Sequence, residues 1–234
     1  MERSHLAVFL VWLPACGTPS SDTGPGGDAD ADADTDPESC CVHSGLRNVG
    51  GTWRWAFTED HEQATGESGS WTRTLERDGE RRQVTEKGVT YDHRTGMEVC
   101  WTAVFTYVCD GGGVWIVHSE TEYTYESGTV AGDGWSDTTY TDPGRVMPRW
   151  IEMGSTWTQR AGGTIRSEAS IVDFSYTTEY AVTDTGPITV PAGTFDTLEV
   201  EWTGSAEMGT FRAAPGVGTV WTTEEVLLEW STGR

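Results

Sequence analysis

The side chains that could do chemistry in this 234-residue chain are five cysteines, five histidines and thirty-seven carboxylates, and their spacing is what decides between reactions. A nucleophile elbow needs Gly-x-Ser-x-Gly, which puts a serine on a tight strand-to-helix turn. The nearest run, Gly66-Glu67-Ser68-Gly69-Ser70, has the wrong order. Zinc sites commonly announce themselves as His-x-x-x-His or Cys-x-x-Cys. His43, His61, His93 and His118 are isolated from one another and sit in neither context. Cys40-Cys41-Val42-His43 gathers three donors, but two vicinal thiols and one imidazole make a poor ligand set. In an oxidising compartment such cysteines read as disulfide partners. A glycosidase needs two carboxylates flanking the scissile bond, and acids are so abundant here that no specific pair stands out. The expectation is no catalytic residue, no metal site and no cofactor.

The first cysteine, Cys16, has a different setting. Arg3 and His5, partly offset by Glu2, make a short polar start, and Leu6 to Leu13 is an unbroken apolar run followed by Pro14-Ala15-Cys16. Crossing a hydrocarbon core takes about 20 helical residues; a secretory signal's apolar region takes only about 7–15. Leu13-Pro14-Ala15-Cys16 resembles the lipobox of bacterial lipoproteins, with Leu13 at the branched position and Ala15 at the small one. Pro14 departs from the usual small or hydroxyl residue. The resemblance implies that residues 1–15 are a cleaved signal peptide and that Cys16 carries three acyl chains, palmitate among them. Two membrane signals already suffice for stable attachment. Gly17 stands where an inner-membrane lipoprotein commonly has Asp, which points to the outer membrane. The expected partner of this end is therefore a membrane in the bacterial cell envelope, reached through the lipid, with the rest of the chain in aqueous, periplasm-like space.

From Cys16 to residue 39 the sequence reads as an acidic, disordered linker. Pro, Gly, Ser, Asp and Ala dominate residues 17–39, without an aromatic or branched apolar side chain. Such a segment cannot offset the roughly 1–2 kcal/mol per residue that ordering a backbone costs. Asp28, Asp30, Asp32, Asp34 and Asp36 repel one another, and the tether reaches on the order of 25 Å or more. The alternating acids fail as an EF-hand loop. Counted from Asp28, Ala33 stands where Gly is needed and Ser39 where a bidentate Glu is needed.

Residues 40–234 then form one β-rich domain. The formal charge of −22 excludes nucleic acid as a partner, because its binders neutralise phosphate with Lys and Arg. Thr, Val, Trp and Tyr recur between Gly-containing turns, and the period is two. Val172, Phe174, Tyr176, Tyr180 and Val182 share a face, as do Leu198, Val200 and Trp202, and as do Trp101, Ala103, Phe105 and Tyr107. Asp110-Gly111-Gly112-Gly113 signals a hairpin into Val114–Tyr125. The expected fold is all-β and antiparallel, either a curved sheet forming an open half-barrel or a sandwich.

Two consequences follow for side chains. If Glu98 to Cys109 is one strand, Cys100 and Cys109 lie about 30 Å apart and cannot bond, since a disulfide needs Cα atoms within about 7 Å. The expectation is one bond from the Cys40-Cys41 pair to Cys100 or to Cys109. The aromatics Trp101, Phe105 and Tyr107 are candidates for an apolar ligand surface if their face is concave. Most of the domain's tryptophans read as core, although Trp53 and Trp55 on one face could equally make a stacking platform.

Three blocks carry a family resemblance. Met147-Pro148-Arg149-Trp150-Ile151-Glu152-Met153-Gly154-Ser155-Thr156-Trp157 resembles a Pro…Gly-x-x-Trp strand start. Val190-Pro191-Ala192-Gly193-Thr194-Phe195 matches VPAGTF, and Ala214-Pro215-Gly216-Val217-Gly218 matches APGVG. In that order, over residues 145–230, they are similar to uncharacterised bacterial envelope lipoproteins distantly related to the LolA/LolB-type carriers, whose half-barrels enclose acyl chains. The resemblance implies an apolar ligand. The expected function is thus a non-catalytic, lipid-anchored envelope protein that binds an apolar ligand or an envelope partner. A surface carbohydrate-binding module using exposed Trp is the alternative, and an anchored hydrolase a third. A long apolar cavity would favour the first, an exposed Trp the second, converging carboxylates in a cleft the third.

Overall fold

The computed structural model describes residues 44–128, 130–204 and 207–232. The expectations for the signal, Cys16, the linker, Cys40 and Cys41 fall outside them. Period-two sequence punctuated by glycine turns gives thirteen strands. They are β1 (Thr52–Phe57), β2 (Glu67–Asp78), β3 (Arg81–Asp92), β4 (Met97–Asp110), β5 (Gly113–Ser127), β6 (Val130–Asp142) and β7 (Arg145–Pro148), followed by β8 (Thr156–Ser167), β9 (Ile171–Val190), β10 (Gly193–Thr203), β11 (Met208–Ala214), β12 (Gly218–Thr222) and β13 (Glu225–Ser231). The expected hairpin turn falls between Asp110 and Gly113, where the Asp110 carboxylate accepts from the N–H groups of Gly112 and Gly113 and from the Trp115 indole. VPAGTF and APGVG are likewise turns, joining β9 to β10 and β11 to β12.

The all-β antiparallel fold is as expected, but the curvature runs to completion. Twelve strands pair in a ring, with β4 closing on β5 and β1 on β13; β7 pairs with the start of β5 beside β6. Neither a half-barrel nor a sandwich results, because β1 and β13 satisfy each other's edge groups over six register pairs, Thr52↔Ser231 to Phe57↔Glu225. Closure removes the edges that an open sheet must protect. Bulges at Arg54/Trp55, Thr106/Tyr107 and Glu199/Val200 supply bends that a flat ladder lacks.

The two faces of the ring differ chemically. Inside, the row Trp55↔Trp71↔Gly88↔Trp101 runs across four strands. Gly88 is there because a Cβ would come within 2.6 Å of the Trp71 Cβ and 2.9 Å of the Trp101 ring. Outside, the next row is Arg54↔Thr72↔Lys87↔Thr102↔Glu122↔Trp135. An outward Arg or Lys costs a lipid-embedded barrel about 2–4 kcal/mol at the bilayer midplane. Arg54, Lys87, Glu120 and Glu122 stand on this outer face.

Among the described residues one α-helix interrupts the strands, α1 (Glu59–Thr65). The Thr58 side chain caps it by accepting from the His61 N–H, and Gly66 ends it in the left-handed conformation at φ 75°. A turn of 3-10 helix at Gly45–Arg47 lays buried Leu46 beside Trp53, Leu75, Val84 and Val217 at one end of the ring. The Trp53 indole donates to the Val217 carbonyl at 3.1 Å, which fastens that end shut. The space left between these residues is about 10 Å³, room for about one water.

Candidate functional site: an outer groove and a filled interior

The inward faces expected for a ligand are occupied by the protein itself. Phe105 is 4% exposed and Tyr107 0%, so these two candidates are core residues and present no concave greasy surface. Burial raises the Tyr107 pKa well above the ordinary tyrosine value, with the Arg73 charge opposing that rise. Trp101, 8% exposed, also points inward, in the row with Trp71 and Gly88, and only its stretch of β4 from Cys100 to Thr102 borders accessible space.

That space is an open groove of about 770 Å³ across the outer side of β1 to β6, within the size range of small-molecule sites. Strand pairing explains its composition. The outward row Arg54, Thr72, Lys87, Thr102, Glu122 and Trp135 lies beside a second row, Ser70↔Val89↔Cys100↔Thr124↔Asp133. Hydroxyls from Ser70, Thr72, Thr102 and Thr124 fill the middle. Lys87 and Arg54 stand toward one end, Glu122 and Asp133 toward the other, with Glu168 from the β8–β9 turn alongside. Arg54 is tied across the β1–β13 seam to Glu229 at 2.6 Å, and that carboxylate raises its pKa. Trp135 is 41% exposed and Tyr123 39%. Tyr123, the register partner of Trp101 on the inner face, lays its ring over Gly134 and leaves no room there for a side chain. Such a groove binds by hydrogen bonds and by one aromatic face.

A second polar group lies inside the ring. The Arg73 guanidinium bonds Glu86 and stands over the Trp55 ring at 5.7 Å. Burial alone would lower the Arg73 pKa, but the Glu86 charge and hydrogen bond raise it overall. Glu225 is pushed up to about 8, first by burial and then by the Glu86 charge, with Arg73 opposing. Farther round, the Tyr180 O–H donates to Gln159 Oε1 at 2.8 Å and Gln159 Nε2 donates to the Tyr176 hydroxyl at 3.0 Å. Burial raises the pKa of both tyrosines. The Trp157 ring stacks on Tyr180 at 4.8 Å between centroids. These groups cross-link strands.

The cysteines are placed as the strand assignment requires. Cys100 and Cys109 share β4, nine residues apart, the first exposed on the outer face and the second buried on the inner. Six tryptophans, Trp53, Trp55, Trp71, Trp101, Trp157 and Trp202, are buried, so Trp53 and Trp55 pack the core and form no stacking platform. Sequence reasoning missed Trp135, because a lone Trp between Gly134 and Ser136 carries no periodic signal. It also missed His118, which β5–β6 pairing brings beside Glu120 and Asp137.

Comparison with known proteins returns no matching family model, no matching curated protein and no matching solved structure.

Proposed function

We propose that this chain is a lipid-anchored protein of the bacterial envelope whose barrel binds a polyhydroxylated ligand, a glycan, in the outer groove, without turning it over. The observation that supports it is the groove's lining: the exposed Trp135 ring beside Glu122, Asp133 and a field of Ser and Thr hydroxyls. An aromatic ring gives a sugar's C–H face a large contact at low entropic cost, while carboxylates and hydroxyls pair with its O–H groups. The apolar-ligand reading loses its surface to the core packing of Phe105 and Tyr107. The anchor rests on the Leu13-Pro14-Ala15-Cys16 tetrapeptide and the apolar run before it.

The test uses the Cys16→Ser chain, which takes up no palmitate and is released from membranes, in a pull-down on insoluble envelope and plant polysaccharides. Retention is expected to fall at least tenfold in Trp135→Ala, with an unchanged melting temperature. Failure of every polysaccharide to retain the Cys16→Ser chain overturns the groove reading. Absence of palmitate labelling in the wild-type chain overturns the anchor.

A further inference from the structure

We infer that His118, Glu120 and Asp137 form a binding site for a divalent first-row transition cation on the outer face of the barrel. Antiparallel pairing of β5 and β6 sets Glu120 directly opposite Asp137 and His118 opposite Thr139. His118 and Glu120, two residues apart, project from the same side of β5. His118 Nε2 lies 3.1 Å from Glu120 Oε1 and 3.9 Å from Asp137 Oδ2, and all three donor atoms fall within 4.8 Å of one another. Donors around a tetrahedral ion with bonds of about 2.0–2.1 Å are separated by about 3.3 Å. One pair already meets that spacing, and the others reach it by rotation of side chains that are 30%, 60% and 34% exposed.

Charge supports the same conclusion. Like charges directly opposite on paired strands destabilise a sheet, and here two carboxylates face each other in a chain of net charge −22. The groups around them on the neighbouring strands are Thr106 and Val104 of β4, Thr164 of β8, and exposed Arg166 opposite Asp137. Arg166 can offset one carboxylate; a divalent ion on the imidazole offsets both. An imidazole nitrogen with two carboxylate oxygens selects first-row ions over calcium or magnesium, which take oxygen ligands. Glu120 and Asp137 lie two residues along their strands from the groove residues Glu122 and Trp135, about 7 Å, so the cluster borders the groove.

Zinc titrated into the metal-free full chain by calorimetry is the test, with cobalt absorption to report nitrogen and oxygen ligands. One zinc per chain is expected, bound at least tenfold more weakly by His118→Ala and by Asp137→Asn, both folded by circular dichroism. His93→Ala should bind as the wild type does. Zinc held equally by His118→Ala assigns the binding to the acidic segment at Asp28–Asp36 or to other surface acids, and overturns the site. No binding to the wild-type chain overturns it too. Neither outcome bears on glycan binding, which is measured without metal.

Discussion

The guanidinium of Arg73 and the carboxylate of Glu86 meet at a single oxygen, with Nε 2.7 Å and Nη2 2.5 Å from Oε1, on directly paired positions of β2 and β3 inside the barrel. Their side chains are 13% and 11% exposed. Breaking one side of a buried pair strands the other charge, which costs about 3–5 kcal/mol. Glu86→Ala and Arg73→Ala should each destabilise by that order in urea unfolding. The combined Arg73→Met, Glu86→Leu variant should lose less than the sum of the two, since it strands no charge. Additive losses would mean that the two groups do not depend on each other.

Glu225 gives the fold a dependence on pH. Its carboxyl is pushed from 4.5 to about 8, chiefly by burial, so folding favours the protonated form. The stability this contributes is fully present below about pH 4.5 and is lost as pH rises through 8. Glu225→Gln keeps the neutral shape at all pH values. It should match the wild type at pH 4 and exceed it by about 2–4 kcal/mol at pH 9. Parallel stability curves across that range would show that Glu225 ionises in the folded state as it does in the unfolded one.

Cys100 and Cys109 should part company chemically. The first is exposed beside the groove and the second is buried in the core. In reduced protein, iodoacetamide should modify Cys100 within minutes and Cys109 only when the chain is unfolded. Non-reducing peptide mapping should find no bond between them, because β4 carries both in one extended segment. Finding that bond would break the β4 assignment.

What was legible in the sequence is what strand alternation alone dictates. The shared face of Phe174, Tyr176 and Val182 points inward along β9, the Leu198–Val200–Trp202 face does so along β10, and the Asp110–Gly113 turn falls where the glycines place it. Alternation puts Phe105 and Tyr107 on one face, yet the accessibility of that face depends on closure. Closure rests on β1 meeting β13, segments more than 160 residues apart in the chain, and no local pattern carries that information. The helix α1 had its signals, Thr58, the acids Glu59, Asp60 and Glu62, and Gly66, but at seven residues it is too short to show a period. His118 and Asp137 are neighbours only through the register of β5 on β6. Register is set by the whole hairpin, and so the cluster is invisible until the strands are paired.

The seam between β1 and β13 also decides where the two ends of the chain leave the barrel. Thr52 begins the first strand opposite Ser231, which ends the last. Incoming and outgoing chain thus share the end of the cylinder where Asp78 turns into Arg81 and Asp110 into Gly113. The groove residues Ser70, Val89, Cys100, Thr124 and Asp133 lie nearer the opposite end, toward the hairpin tips at Asp92–Met97 and Ser127–Val130. The groove therefore lies toward the end of the cylinder away from both Thr52 and Ser231. A reporter inserted at the Ser127–Val130 tip would stand beside the groove, whereas one fused after residue 234 would stand at the far end of the cylinder.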